Sequence, residues 1–144
     1  MSGGNSYEIH VTAFPELQML TISMKGIIHS GACLELYHKV KTALVNLSAG
    51  FVMLVDMSHV GELLFETYQL LAKVMDLIYH HGVSRIARVF IHEKKDIGLK
   101  IATRFHYGPE VKISYHSTIT QALAMLLSKQ IQKLEGGPLK ICNV

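Results

Sequence analysis

The sequence predicts an α/β domain in which a single mixed β-sheet of about five strands packs against four helices. The first observation is an almost wholly apolar run from Phe51 to Asp56, which is typical of a central strand covered on both faces. The second is the long helical pattern that follows this run after a short polar stretch. The third is the order of strand and helix patterns along the chain, β-β-α-β-α-β-α-β-α, which favours one sheet with helices packed on it.

The first two strands are predicted to form an antiparallel hairpin. Apolar and polar side chains alternate in Tyr7–Ala13 and again in Leu17–Lys25, and the short link at Pro15 favours a hairpin. Ser30 is the expected N-cap of a first helix over Gly31–Leu47.

The central strand is expected over Phe51–Met57, and a polar turn is expected to follow it at Met57–Gly61. The next helix is predicted over Glu62–His80, with Gly82 as its C-terminal stop. Partners and ligands usually bind α/β sheets at the carboxyl ends of the strands, so Asp56 and the turn after it mark the expected functional edge.

The remainder of the chain predicts two more strands and two more helices. They are a strand over Val83–Ile91, a helix over Asp96–Phe105, a strand over Val111–Tyr115 and a helix over Ile119–Leu134. Asp96 is the expected cap of the shorter helix, which is predicted to bury Ile97, Ile101, Ala102 and Phe105. Thr118, followed three residues later by Gln121, is a capping-box pattern for the last helix.

Length and composition favour one folded domain over residues 7–135. Of the 144 residues, 49% are hydrophobic and 17% are charged, which excludes a disordered chain and supports a self-sufficient core. Residues 1–6 are expected to be a disordered tail and residues 136–144 a second tail. No apolar run approaches the roughly 20 residues of a membrane helix, and no signal-peptide pattern is present, so we expect no membrane insertion. Two cysteines without a disulfide pattern favour the cytoplasm.

Positive charge is concentrated in residues 85–112, where seven basic residues stand against three acidic ones. Such a segment can attract an anionic partner, but the simpler interpretation is a solvated face. We do not expect nucleic acid to be a partner.

The end of the central strand, Asp56-Met-Ser58-His-Val60, resembles the Asp-x-Ser-x-Val strand end of STAS domains. STAS domains form the fold shared by anti-anti-sigma factors and the cytoplasmic tails of sulfate transporters. The element order from Tyr7 to Leu134 and the start of the last helix at Thr118 are also similar. The resemblance implies a bacterial regulatory domain that acts through contacts with other proteins.

One feature of the regulatory STAS domains is missing. Those proteins carry Asp-Ser-Ser-Gly at the start of the helix after this strand, and a partner kinase phosphorylates one serine. Counted from Asp56, the tetrad falls on Leu64-Phe65-Glu66-Thr67, with Phe65 in the place of the phosphorylated serine. Thr67 falls on the buried arc of the predicted helix. The chain therefore resembles divergent STAS-like proteins of bacteria that lack the serine switch.

The helix after the central strand is more apolar than packing on a sheet requires. At about 100° per residue, its polar residues occupy an arc of only roughly 80°, and the apolar arc spans roughly 240°. The core part of that arc contains Leu63, Thr67, Leu70, Leu71, Val74, Leu77 and Ile78. The extra apolar stripe contains Phe65, Tyr68, Ala72, Met75 and Tyr79. A surface helix needs an apolar stripe nearer 100° wide, so another helix of the chain, another subunit or a bound apolar molecule is expected to cover this stripe.

No motif supports an enzyme. The chain has no Gly-x-Ser-x-Gly, Walker-type or dinucleotide-binding pattern, and we expect no cofactor. Asp56, Ser58, His59 and Glu62 are close enough in sequence for acid–base chemistry, but a carboxylate that accepts backbone hydrogen bonds is the simpler interpretation. His80 and His81 point in different directions on a helix, so we expect no metal site.

The sequence therefore favours a non-enzymatic STAS-like interaction and regulatory module that forms a homodimer and binds a protein partner at the Asp56 turn and the following helix. A small-molecule or lipid-binding domain, with a pocket beneath Phe65, Tyr68 and Tyr79, is the alternative, and a small enzyme is the third possibility. The candidate interaction residues are Asp56, Ser58, His59, Glu62, Phe65, Glu66, Tyr68, Met75 and Tyr79.

Overall fold

The computed structural model describes residues 7–89 and 93–134, with the backbone alone for residues 93–97 and residue 134. The tails predicted at residues 1–6 and 136–144 lie outside the described ranges. So do Phe90 and Ile91, the last residues of the predicted fourth strand.

The described elements follow the predicted order. They are β1 (Tyr7–Phe14), a first 3₁₀ turn (Pro15–Leu17), β2 (Met19–Ile28), α1 (Ser30–Leu44), β3 (Val52–Leu63), a second 3₁₀ turn (Phe65–Thr67), α2 (Tyr68–His81), β4 (Arg85–Val89), α3 (Glu93–His106), β5 (Lys112–His116) and α4 (Ile119–Leu134).

Within the described ranges, the strands form one five-stranded sheet in the order β1-β2-β3-β4-β5. β1 pairs with β2 in the antiparallel direction, and the other three neighbouring pairs are parallel. The predicted α/β class, with a single mixed sheet and four helices, is confirmed.

The central strand β3 contributes to two apolar layers. Met53 and Val55 belong to the core beneath α1, α2 and α3. Val52 and Leu54 belong to a smaller core on the other face, with Leu126 of α4. Alternate residues of a strand point to opposite faces, so the part of a strand that is covered on both sides must be apolar, as Val52–Val55 is.

The prediction of a turn at Met57–Gly61 is wrong, because these residues belong to β3, which continues as far as Leu63. This continuation pairs with the second half of β2, where Ile28 lies opposite Leu63. Glu62 therefore belongs to the strand and not to the first turn of the next helix, where it was predicted.

The extra length of β3 is accommodated by two register shifts. Ser23 of β2 pairs with Asp56, but Lys25 pairs with His59, so β3 gains one residue between them. A second shift follows directly after Gly26. A β-bulge adds a residue to one strand and locally disrupts the ladder, so polar side chains are tolerated there.

Asp56 supplies a hydrogen-bond acceptor at the first bulge. Its side chain is only 7% exposed, and its Oδ1 accepts hydrogen bonds from the backbone N–H of Ser58 at 3.0 Å and from Ser58 Oγ at 2.6 Å. The paired register resumes only at His59. The carboxylate thus satisfies a backbone donor where the ladder is interrupted. The expected bond from Asp56 to nearby backbone is present, although it stabilises a bulge and not a turn.

The helix after β3 begins later than predicted. Leu64 N–H donates to Ile28 O at 3.2 Å, the second 3₁₀ turn follows, and α2 itself starts at Tyr68. Its predicted stop is confirmed: Gly82 is the C-cap with φ of 103°, and its N–H donates to Tyr79 O. Glycine adopts such a left-handed conformation with little steric cost.

The caps of α1 and α4 differ in how well the sequence predicted them. The N-cap of α1 is His29 and not Ser30, because the His29 Nδ1 accepts hydrogen bonds from the N–H groups of Gly31 at 3.1 Å and Ala32 at 3.4 Å. Thr118 Oγ1 accepts from the Gln121 N–H at 3.2 Å, so the predicted cap of α4 is present.

Helix α3 differs from its prediction in both start and orientation. It begins at Glu93, so the predicted cap Asp96 lies inside the helix. Of residues 98–106, whose burial is described, Leu99 and Thr103 are buried, whereas Ile101 is 67% exposed and Phe105 is 84% exposed. The prediction that Ile101 and Phe105 are buried is wrong, because apolar residues occur around the whole helix and their spacing does not define which side faces the sheet.

The bulge geometry yields a stability prediction. Asp56→Ala should lower the free energy of unfolding by about 1–3 kcal/mol, because it leaves the partly buried Ser58 N–H without its acceptor. Asp56→Asn retains an acceptor oxygen and should recover part of the loss. Both variants are to be compared with the wild type by urea denaturation followed by circular dichroism.

Ser58→Ala is the matched control for this experiment. It removes the hydroxyl bond to Asp56 but keeps the backbone bond, so its effect should be smaller than that of Asp56→Ala. Equal stability of Asp56→Ala and the wild type would show that the carboxylate does not stabilise the bulge.

Candidate functional site

The end of β3 and the second 3₁₀ turn form a surface at the carboxyl edge of the parallel strands. The turn is held in place because Leu63 pairs with Ile28 and the Leu64 N–H donates a hydrogen bond to Ile28 O. Exposed or half-buried side chains leave this edge from β3, the turn and the first residue of α2. We name the following six residues the carboxyl-edge surface: Ser58, His59, Glu62, Phe65, Glu66 and Tyr68.

Phe65 is the most exposed large hydrophobic side chain among the described residues, at 87%. Its ring centroid lies 5.7 Å from that of Tyr68, which is itself half-buried. Glu62 and Glu66 are both exposed, so an aromatic ring and two carboxylates share the same edge. This edge combines apolar contact area with negative charge.

Asp56, Ser58 and His59 form a hydrogen-bonded chain. Ser58 Oγ donates its only proton to Asp56, so it can only accept from His59 Nδ1, which lies 3.1 Å away. In a catalytic triad, histidine lies between serine and the acid and removes the serine proton. Here serine is the middle member, and His59 must carry a proton on Nδ1. This order does not activate Ser58 as a nucleophile.

Thr67 and Cys33 connect the turn to the core beneath it. Thr67 is fully buried, as predicted, and its hydroxyl donates to Leu64 O at 2.6 Å. Cys33 of α1 lies close to Thr67, and burial raises the pKa of its thiol to about 11. A thiol with such a high pKa is a poor nucleophile, so Cys33 has a structural role.

The extra apolar stripe of α2 is largely covered by the same chain. A Cβ added to Gly98 of α3 would lie 3.1 Å from the Tyr68 hydroxyl, so the two helices are close at that point. At the other end, the Tyr79 ring lies 6.3 Å from that of Tyr107. Met75 is half-buried between them. Phe65 is thus the residue of the predicted stripe that remains exposed.

Tyr79 is also bound to the segment after α3. Its hydroxyl donates to Glu110 Oε2 at 2.5 Å. This hydrogen bond raises the pKa of Tyr79 and lowers the pKa of Glu110, since each partner favours the protonation state that maintains the bond. The contact fixes α2 relative to the start of β5.

A small apolar cavity lies between the sheet and helices α2 and α3. Its volume is about 60 Å³, and Met24, Met53, Met57 and Met75 are among its lining residues. The pockets that hold small molecules usually measure roughly 300–1,000 Å³. Neither Phe65, Tyr68 nor Tyr79 is among the lining residues, so this is not the pocket predicted beneath them.

Arg88 is a residue whose position the sequence did not predict. It belongs to the basic segment that was expected to be a solvated face, yet it is only 3% exposed and lines the cavity. Its guanidinium carbon lies 5.0 Å from the centre of the Tyr115 ring, and its Nη1 lies 3.8 Å from Met57 Sδ. The available signal was its place inside the short strand β4, between the apolar residues Ala87 and Val89.

His80 and His81 each contact a backbone carbonyl and do not share a common centre. His80 Nδ1 lies 2.7 Å from Asp76 O, and His81 Nε2 lies 2.7 Å from Leu47 O. Among the described residues, no group of three or more His, Cys, Asp or Glu side chains is arranged to hold a metal ion. Within the same residues, no helix has the length and apolar character needed to cross a membrane.

No protein-family model matches this chain, and no curated protein matches it at a significant level. Solved structures do match. A DUF3478-family protein with a SpoIIAA-like fold from Shewanella loihica PV-4 is 18% identical, with a TM-score of 0.62, and the match covers 88% of this chain and 98% of that one.

Two regulatory proteins share the same architecture. An anti-sigma factor antagonist from Mycobacterium paratuberculosis is 14% identical, with a TM-score of 0.57 over 88% of this chain and 98% of its own. SiaC from Pseudomonas aeruginosa, in complex with the diguanylate cyclase SiaD that it activates, is 14% identical, with a TM-score of 0.51 over 78% of this chain and 96% of its own. At these identities the likeness establishes the fold, and the chain is a divergent protein with the SpoIIAA-like, STAS-type fold that its sequence predicts.

Proposed function

We propose that this protein is a non-enzymatic regulatory module that binds a protein partner through the carboxyl-edge surface. The observation that carries the proposal is Phe65, a phenylalanine that is 87% exposed and stands in the sequence between Glu62 and Glu66, which are also exposed. A large aromatic side chain in this position is available to be buried by a partner, and aromatic anchors often provide most of the binding energy in protein interfaces.

The turn that carries Phe65 is suited to binding because it is fixed before a partner arrives. Leu64 N–H is bonded to Ile28 O, and Thr67 Oγ1 is bonded to Leu64 O. A pre-organised surface loses less conformational entropy on binding, so more of the contact energy contributes to affinity.

The structural neighbours support a regulatory role. One is an anti-sigma factor antagonist, and another activates a diguanylate cyclase with which it forms a complex. The order of the Asp56–Ser58–His59 chain, the high pKa of Cys33 and the small volume of the cavity all favour binding of a protein over catalysis or storage of a lipid.

We infer that the serine switch of regulatory STAS proteins does not operate here. Phe65 has no hydroxyl group, and Thr67, the nearest residue that has one, is fully buried and already hydrogen-bonded. Phosphorylation of Thr67 would place a doubly charged group in the core beside Cys33.

Binding through Phe65 can be tested with a photo-reactive phenylalanine analogue. Placed at position 65, it should cross-link a specific protein in the native host, whereas the same analogue at Val45, which is 80% exposed on the chain just after α1, should not. With that partner purified, Phe65→Ser should weaken binding at least about tenfold, which corresponds to about 1.4 kcal/mol.

Val45→Ser is the matched control for the affinity measurement, because it also removes an exposed apolar side chain. Unchanged affinity in Phe65→Ser, measured by isothermal titration calorimetry, would place the binding surface elsewhere.

The missing switch can be tested with serine kinases that act on regulatory STAS proteins. The wild type should show no phosphate in residues 64–67 by mass spectrometry. Phe65→Ser, which adds an exposed hydroxyl, is the variant expected to acquire phosphate. Stoichiometric phosphate on Thr67 of the wild type would contradict the inference.

We also infer that the protein forms a homodimer, as the apolar stripe of α2 predicts. Since α3 covers most of this stripe, Phe65 and the accessible part of Tyr68 are the part still open to a second copy. Light scattering should show a dimer, which Phe65→Glu converts to a monomer and Val45→Glu does not. A monomeric wild type at high protein concentration would exclude the homodimer.

A further inference from the structure

Helix α3 carries an exposed surface that combines apolar and basic side chains. Ile101 and Phe105, one helical turn apart, are 67% and 84% exposed. Lys100, which is half-buried, and Arg104, which is exposed, precede them in the sequence and are also one turn apart. We name these four residues the basic α3 face.

The two cations of this face are held in defined positions. Lys100 Nζ lies 4.7 Å from the centre of the Tyr115 ring, and Arg104 Nη1 donates to Gly108 O at 3.2 Å. Arg104 remains exposed despite this bond. The face therefore presents a fixed pattern of charge next to apolar surface.

Helices α2 and α3 run side by side in the same direction. Tyr68, at the start of α2, approaches Gly98 in the first half of α3. Tyr79, near the end of α2, contacts Tyr107 just after α3. The acidic carboxyl-edge surface thus lies near the amino-terminal ends of both helices, and the basic α3 face extends towards their carboxyl-terminal ends.

We propose that a second copy of this chain binds across α3, with its basic α3 face against the carboxyl-edge surface of the first copy and the reverse contact formed at the same time. A two-fold axis that places the α3 helices antiparallel brings the acidic end of each copy to the basic end of the other. Both contacts are then identical, and the assembly closes as a dimer. Phe65 and Phe105 supply the apolar contacts, and the charges define the orientation.

Charge complementarity favours a second copy over an anionic membrane as the occupant of this face. A basic helix with exposed Ile101 and Phe105 also has the chemistry of a membrane-surface helix. However, Glu62 and Glu66 lie near the start of the same helical layer and would be repelled by anionic lipids. In a dimer, the same carboxylates are attracted to Arg104 of the second copy.

This inference rests on the homodimer of the proposed function, and complementary charge reversals test it separately. Glu66→Arg alone places arginine against arginine in both contacts of the dimer, and Arg104→Glu alone places glutamate against glutamate. Each variant should raise the dimer dissociation constant at least about tenfold in sedimentation equilibrium at low salt.

Mixing the two variants is the decisive measurement. In a mixed dimer, the arginine introduced at position 66 of one copy faces the glutamate introduced at position 104 of the other. In the second contact, the unsubstituted Arg104 and Glu66 face each other. The equimolar mixture should therefore dimerise within about threefold of the wild-type dissociation constant. Circular dichroism should be used to check that both variants are folded, and Lys129→Glu on α4 is the control for a change in net charge.

The possible outcomes separate this inference from the proposed function. A wild-type dimer that neither reversal weakens, or a mixture that does not recover, overturns the α3 interface but leaves the homodimer intact. A monomeric wild type overturns both. A monomer that co-sediments with phosphatidylglycerol vesicles, and loses this binding in Arg104→Glu and in Phe105→Ser, would assign the basic α3 face to a membrane and overturn the dimer.

Discussion

The parallel pairing of β3 with the second half of β2 is the constraint on which the functional edge depends. This pairing extends β3 beyond Asp56 to Leu63, and it requires two register shifts. Asp56 satisfies the backbone donor freed at the first shift. The extended strand carries the helix start away from the centre of the sheet, so that Phe65 lies on a turn at the edge and not on the first buried turn of a helix. The exposed aromatic ring is thus a consequence of strand pairing.

Helix α3 covers apolar surface of α2 but leaves apolar residues of its own exposed. The stripe on α2 that includes Met75 and Tyr79 is covered by α3 and by the segment after it. Covering this stripe uses the sides of α3 that face α2 and the sheet, and the apolar residues on its remaining side, Ile101 and Phe105, stay exposed. Ile101 and Phe105 are therefore apolar surface that packing between these two helices leaves exposed. The excess identifies where another molecule can bind.

Sequence patterns predicted the features that depend on local physics. The order of elements, the stop at Gly82, the cap at Thr118 and the burial of Thr67 follow from periodicity, glycine conformation and hydroxyl capping. The bulges in β3 did not follow, because Met57–Gly61 has turn-forming residues and only its partner strand shows that it stays extended. The His29 cap and the orientation of α3 were also missed. The first uses an unusual capping residue, and the second depends on which side of an apolar helix meets the sheet.

If the carboxyl-edge surface binds both a partner and a second copy, dimer formation lowers the apparent affinity for the partner. Burial of Phe65 against one excludes the other, so the two equilibria compete. Only the monomeric fraction is then able to bind the partner, and the apparent dissociation constant for the partner rises in inverse proportion to that fraction. The proposed dimer pairs Glu66 with Arg104, which are both exposed, so salt would screen these contacts and raise the monomeric fraction. Protein concentration and ionic strength would thus control partner binding without phosphorylation. They would take the place of the phosphorylated serine of regulatory STAS domains, a position that Phe65 occupies in this chain.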